Sequence, residues 1–64
     1  MTIHDRNFYK SIIQKMLNGR LSKYKENGYS YTLYYNPYTN FYTLYYTAPN
    51  EKYWSCAAIE ASEI

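Results

Sequence analysis

The sequence predicts an α+β domain in which an N-terminal amphipathic helix packs on a tyrosine-rich antiparallel β-hairpin. Three observations carry that prediction. Phe8, Tyr9, Ile12, Ile13, Met16 and Leu17 recur at three- and four-residue spacing, the period of one helix face. The pentapeptide Tyr-Thr-Leu-Tyr-Tyr occurs twice, at residues 31–35 and 42–46, with turn-forming residues between the copies. Across residues 29–47 the pattern changes from helical to alternating.

The helix start reads as a capping box, Thr2-Ile3-His4-Asp5, with Thr2 as N-cap and an acidic residue at the third helical position. Asn18-Gly19 is one stop signal. Leu21 and Tyr24 continue the apolar stripe, however, and Asn27-Gly28 is an equally good stop, so the helix is expected to run on to Asn27. In that extension Arg20 and Lys23 intrude on the apolar side. Either their stems lie along the core or the helix bends near Gly19.

The two pentapeptides set the hairpin register. With Asn36 opposite Phe41 and a four-residue loop between them, Tyr35 faces Tyr42, Tyr34 faces Thr43, Leu33 faces Leu44, Thr32 faces Tyr45 and Tyr31 faces Tyr46. One face then holds Tyr29, Tyr31, Leu33, Tyr35, Tyr42, Leu44 and Tyr46. The other holds Ser30, Thr32, Tyr34, Asn36, Phe41, Thr43, Tyr45 and Thr47. A lone hairpin is barely stable in water, so the leucine face should receive the helix. Tyr34, Phe41 and Tyr45 are left on the open side.

Ala48-Pro49-Asn50 ends the second strand, and residues 53–59 fit either of two structures. As a helix, Tyr53, Ala57, Ala61 and Ile64 share a face; as a strand, the segment completes a three-stranded meander. The Ala/Glu-rich composition favours a short C-terminal helix. Trp54 is expected to anchor the core either way.

A chain of 64 residues makes one domain, residues 1–64, and buries only about 60% of its unfolded surface. Domains this small usually lean on disulfides, a metal or a partner. Cys56 is the only cysteine, so no disulfide forms within the chain, and His4 and Cys56, the only soft ligands, lie at opposite ends. No metal or other cofactor is expected; a partner is. No segment approaches the roughly 20 apolar residues of a membrane span, and the N-terminus lacks a secretion signal, which predicts a cytoplasmic protein. Met1 just before a helix start suggests a complete small reading frame.

The net charge of +2 is unevenly placed. Arg6, Lys10, Lys15, Arg20, Lys23 and Lys25 stand against Asp5 and Glu26 in the first 28 residues, and Lys52 against Glu51, Glu60 and Glu63 in the remainder. The six N-terminal cations are candidate phosphate contacts, unless they simply solvate a helix surface.

No catalytic set is visible. The carboxylates sit at element ends and in the acidic tail, and both glycines follow asparagine as turn residues, which leaves no phosphate-cradling loop. Cys56 near Trp54 reads as packing and His4 as an exposed polar residue. The chain is not expected to be an enzyme or to take a small-molecule substrate.

Ten of the eleven tyrosines lie in residues 24–53. Tyr9, Tyr31, Tyr35, Tyr42 and Tyr46 are assigned to enlarging a small core. Tyr34, Tyr38, Phe41 and Tyr45, set among Ser, Thr and Asn, have the composition of a binding surface: rigid amphipathic rings among small adaptable polar groups. The leading expectation is therefore a non-enzymatic protein-interaction module, an inhibitor or adaptor that docks on a larger protein through those four residues. Phage-encoded inhibitors such as anti-CRISPR proteins have this profile as a class, an analogy that rests on no motif.

The alternative is a small nucleic-acid-binding domain that uses the basic helix and the sheet aromatics. It ranks second because no Lys or Arg lies between Gly28 and Glu51, and the cations belong to a helix expected on the other side of the sheet. A third expectation is a homodimer through strand edges, since residues 29–35 and 41–47 carry no lysine to deter pairing.

Overall fold

The computed structural model describes residues 5–64. Helix α1 spans Arg6–Asn18, followed by strands β1 (Lys23–Glu26), β2 (Tyr29–Asn36), β3 (Phe41–Thr47) and β4 (Ser55–Glu60) and a closing 3₁₀ turn, Ala61–Glu63. The strands form one antiparallel sheet in the order β1-β2-β3-β4, a meander with α1 on one face.

The central hairpin has the register set by the repeated pentapeptide. Asn36 pairs with Phe41, Tyr35 with Tyr42, Leu33 with Leu44 and Tyr31 with Tyr46. Asn40 takes a left-handed conformation (φ 60°) in its loop, and the Asn36 side chain accepts from the Tyr38 amide at 2.9 Å. Ile12, Ile13 and Met16 of α1 are buried with Tyr31, Leu44 and Ile59 of the sheet, and Phe8, Tyr9, Leu33, Tyr42, Tyr46 and Ile64 pack around them. At the rim, Tyr9 and Tyr46 join hydroxyls at 2.8 Å. Burial first, then that hydrogen bond, pushes the Tyr9 hydroxyl's pKa above its ordinary value.

Several expectations change. The helix stops at Asn18 instead of running to Asn27. Arg20 adopts a left-handed conformation (φ 54°), the Leu21 amide donates to the Met16 carbonyl at 2.8 Å, and the Arg20 amide donates to that of Leu17 at 3.1 Å. This pair of bonds is the Schellman arrangement, and it turns the chain out of the helix one residue beyond the glycine. Asn27-Gly28, read above as a second helix stop, is a two-residue hairpin turn with positive φ at both positions (52° and 83°). Asn-Gly is the sequence most favoured there, and it pairs Glu26 with Tyr29 and Lys23 with Thr32.

Residues 55–60 form a fourth strand, not a helix, with Ile59 opposite Tyr42 and Ala57 opposite Leu44. Burying Ile59 beneath α1 outweighs alanine's weak strand preference. The alternation that turns Ile59 inward turns Cys56 outward, and Trp54 with it. Trp54 is 52% exposed and Cys56 is exposed, so neither packs in the core. The segments expected as open edges, residues 29–35 and 41–47, are the two central strands; the edges are β1, which carries Lys23 and Lys25, and β4. At the start of α1, Asp5 is the N-cap, its carboxylate accepting from the Phe8 amide at 2.9 Å. The expected cap Thr2 and the exposed His4 lie outside the described residues. Among the described residues no helix is long and apolar enough to cross a membrane.

Two substitutions should move stability in opposite directions. Arg20→Gly removes the strain of a left-handed non-glycine residue and should stabilise the fold by about 1 kcal/mol, or ~4–8 °C in Tm. Gly28→Ala places a Cβ 2.7 Å from Pro49 Cγ at a φ of 83° and should cost at least about 1 kcal/mol. Thermal denaturation followed by circular dichroism checks both; equal or reversed shifts would refute the assignment of these turns.

Candidate functional site

The face of the sheet turned away from α1 collects the exposed aromatic residues. Strand alternation sends Lys23 and Lys25 of β1 to this face, because their neighbours Tyr24 and Glu26 point to the helix side: Tyr24 packs on the core, and Glu26 bonds Lys15 of α1. Cross-strand pairing then sets Lys25 beside Ser30, and Lys23 in a row with Thr32, Tyr45 and Cys56. Tyr34 follows on the next row, beside Thr43 and diagonal to Tyr45; the two rings meet edge to face with centroids 5.5 Å apart.

Trp54 completes the surface. A hollow of about 410 Å³ is lined by Thr32, Tyr34, Tyr45 and Trp54, and a second, of about 490 Å³, by Lys23, Tyr24, Lys25, Ser30, Tyr31, Thr32 and Trp54. Thr32 and Trp54 belong to both. The hollows therefore adjoin, with exposed rings around the first and both lysines of β1 in the lining of the second.

Of the four residues expected to bind a protein, Tyr34 (60% exposed) and Tyr45 (38%) stand on this face. Phe41 shares the face but is half-buried, paired with Asn36 on one side and Glu60 on the other. Tyr38 is 96% exposed at the tip of the β2–β3 loop, apart from the groove. Trp54 is the principal residue missed by reading the sequence, and the missing signal was the alternation of residues 54–60 once they are taken as a strand.

The six candidate phosphate contacts fall into two groups. Arg6 and Lys10 pair with Glu63, Lys10 at 3.8 Å, and Lys15 pairs with Glu26 at 3.1 Å, all on the helix side. Arg20 lies in the turn after α1. Lys23 and Lys25 have no carboxylate partner among the described residues. The other ionisable groups bear out the sorting: hydrogen bonds from Lys15 and then from the Tyr24 hydroxyl hold Glu26 below the usual carboxylate range, and Arg6 does the same for Glu63.

Among the described residues no cluster of His, Cys, Asp and Glu is placed to hold a metal ion. Comparison of this chain with protein-family models, with curated proteins and with solved structures finds no match to any of them.

Both carboxylates have folded-state pKa values lowered from the unfolded ones, so their contribution to stability is present above the unfolded value and is lost as pH falls through the folded one. Tm should therefore decline as pH drops below the ordinary glutamate range of about 4–5. The double variant Glu26→Gln/Glu63→Gln should flatten that decline; an unchanged slope in a pH series of melting curves would show that the pairs are not maintained in solution.

Proposed function

We propose that this chain is a non-enzymatic docking module, of the inhibitor or adaptor kind, that holds a macromolecular partner against the open face of its sheet. The observation that carries the reading is the group of three exposed rings, Tyr34, Tyr45 and Trp54, around a hollow floored by Thr32, on the side that α1 leaves uncovered. Such rings are rigid, have few torsions to immobilise, and combine an apolar body with a polar tip, which suits them to anchor an interface. The fold does not need them there, since the buried cluster is built from the opposite face.

A larger protein remains the partner that residue composition suggests. The nucleic-acid reading has also gained support: the objection that the aromatic face lacks cations does not apply to Lys23 and Lys25, which extend from an edge strand onto that face.

The double variant Tyr34→Ser/Tyr45→Ser tests the docking face itself. The wild-type chain, used as bait in the cells that express it, should retain a partner that the variant loses, with circular dichroism and Tm unchanged. Loss of an anchoring ring costs about 2 kcal/mol, roughly a thirtyfold drop in affinity for each. Retention of the partner at wild-type level by the folded variant would overturn the assignment.

A further inference from the structure

We infer that the open face takes single-stranded nucleic acid, with bases laid on Trp54, Tyr34 and Tyr45 and phosphates held by Lys23 and Lys25. This rests on the docking-face reading and names the partner. The two hollows form one groove through their shared Thr32 and Trp54, so the exposed rings and the two ammonium groups lie along a single path. A single strand offers planar bases to the rings and anionic phosphates to the lysines, and four-stranded sheets with exposed rings hold two or three stacked bases in this manner.

The charge distribution selects the same partner. Three of the helix-side cations are paired with Glu26 and Glu63, whereas the groove lysines have no carboxylate partner among the described residues. The one carboxylate that β4 turns to this face is Glu60, opposite Phe41 at the far corner of the sheet and on the order of 20 Å from Lys23 by strand spacing. Its oxygen accepts from the Ser62 hydroxyl at 3.0 Å.

Duplex is disfavoured because its bases are already stacked and offer no free faces to the rings. A peptide joined by strand addition is disfavoured because the floor of the groove, Thr32 and Tyr45, lies on the two central strands, and the free edge of β1 is four residues long and carries lysines.

Trp54 is the only tryptophan, so its fluorescence reports the groove directly. A labelled homothymidine strand about ten nucleotides long, close to the site size of comparable sheet surfaces, is titrated into the full chain, with anisotropy and Trp54 quenching read together. Binding should quench Trp54 and weaken with salt at a logarithmic slope of about −1.4, the value for two phosphate contacts on a single strand. Lys23→Gln/Lys25→Gln should bring that slope toward zero, Tyr34→Ser should weaken binding roughly thirtyfold with the fold intact, and a duplex of the same length should not compete.

No anisotropy change at about 50 mM salt overturns the inference. So does binding that leaves Trp54 unquenched and survives the lysine variant, because the strand then lies elsewhere. A protein retained in cells by the wild type and lost by the Tyr34/Tyr45 variant, with no oligonucleotide binding, overturns the nucleic-acid assignment while leaving the docking face standing.

Discussion

Leu33 lies opposite Leu44 at the middle of the β2–β3 pairing, and the orientation of the remaining sheet side chains follows from that pair. Leu44 is wholly buried beneath Ile12, Ile13 and Met16. Side chains on a strand alternate strictly, so a slip of one residue would carry the leucines to water and bring Thr32, Tyr34 and Tyr45 under the helix. Such a slip would bury hydroxyls without partners and expose the apolar face. β1 and β4 inherit the orientation through their own pairings: Tyr24 and Ile59 go inward with the leucines, and Lys23, Lys25 and Cys56 go outward. The packing of the core and the make-up of the open face are thus one constraint seen from two sides.

The central hairpin was legible because its signal is local and repeated. Two identical pentapeptides around a turn leave a single register that pairs like with like, and the alternation within them assigns the faces. The flanking strands were hidden for separate reasons. In residues 19–28, leucine and tyrosine at helical spacing imitate a continued amphipathic stripe, while the decisive events are a left-handed Arg20, which no propensity favours, and an Asn-Gly pair that serves equally as helix stop or hairpin turn. In residues 55–60 the alanines argue for helix, and only tertiary burial of Ile59 against α1 decides for a strand. Misplacing β1 hid the two lysines of the groove, and misplacing β4 hid Trp54. Tyr34 and Tyr45 were visible from the start because they belong to the hairpin.

A modest net charge conceals a strong division between the faces. Glu26 and Glu63 are drawn to the helix side, where they bond Lys15, Tyr24, Arg6 and Lys10. These exposed pairs add little to stability individually, since solvent screens them. Their larger effect is on distribution: they tie up acidic groups on one side and leave Lys23 and Lys25 without a local counter-charge on the other. The same lysines lie on β1, a strand of four residues whose outer edge is unpaired, where charge also discourages the addition of a foreign strand.

Gly28 touches Pro49 across a gap too narrow for a methyl group, which joins two connections that are remote along the chain. The Asn27-Gly28 bend is thereby fitted to the bend at Ala48-Pro49-Asn50-Glu51, and the segment leaving the second bend leads directly to Trp54, guided by the Thr47 hydroxyl on the Tyr53 carbonyl at 3.0 Å. The contact lies at the end of the sheet where β2 begins and β3 ends, the end from which the chain passes to Trp54. A side chain added at position 28 would press on Pro49 and hence on the connection that delivers Trp54 to the open face.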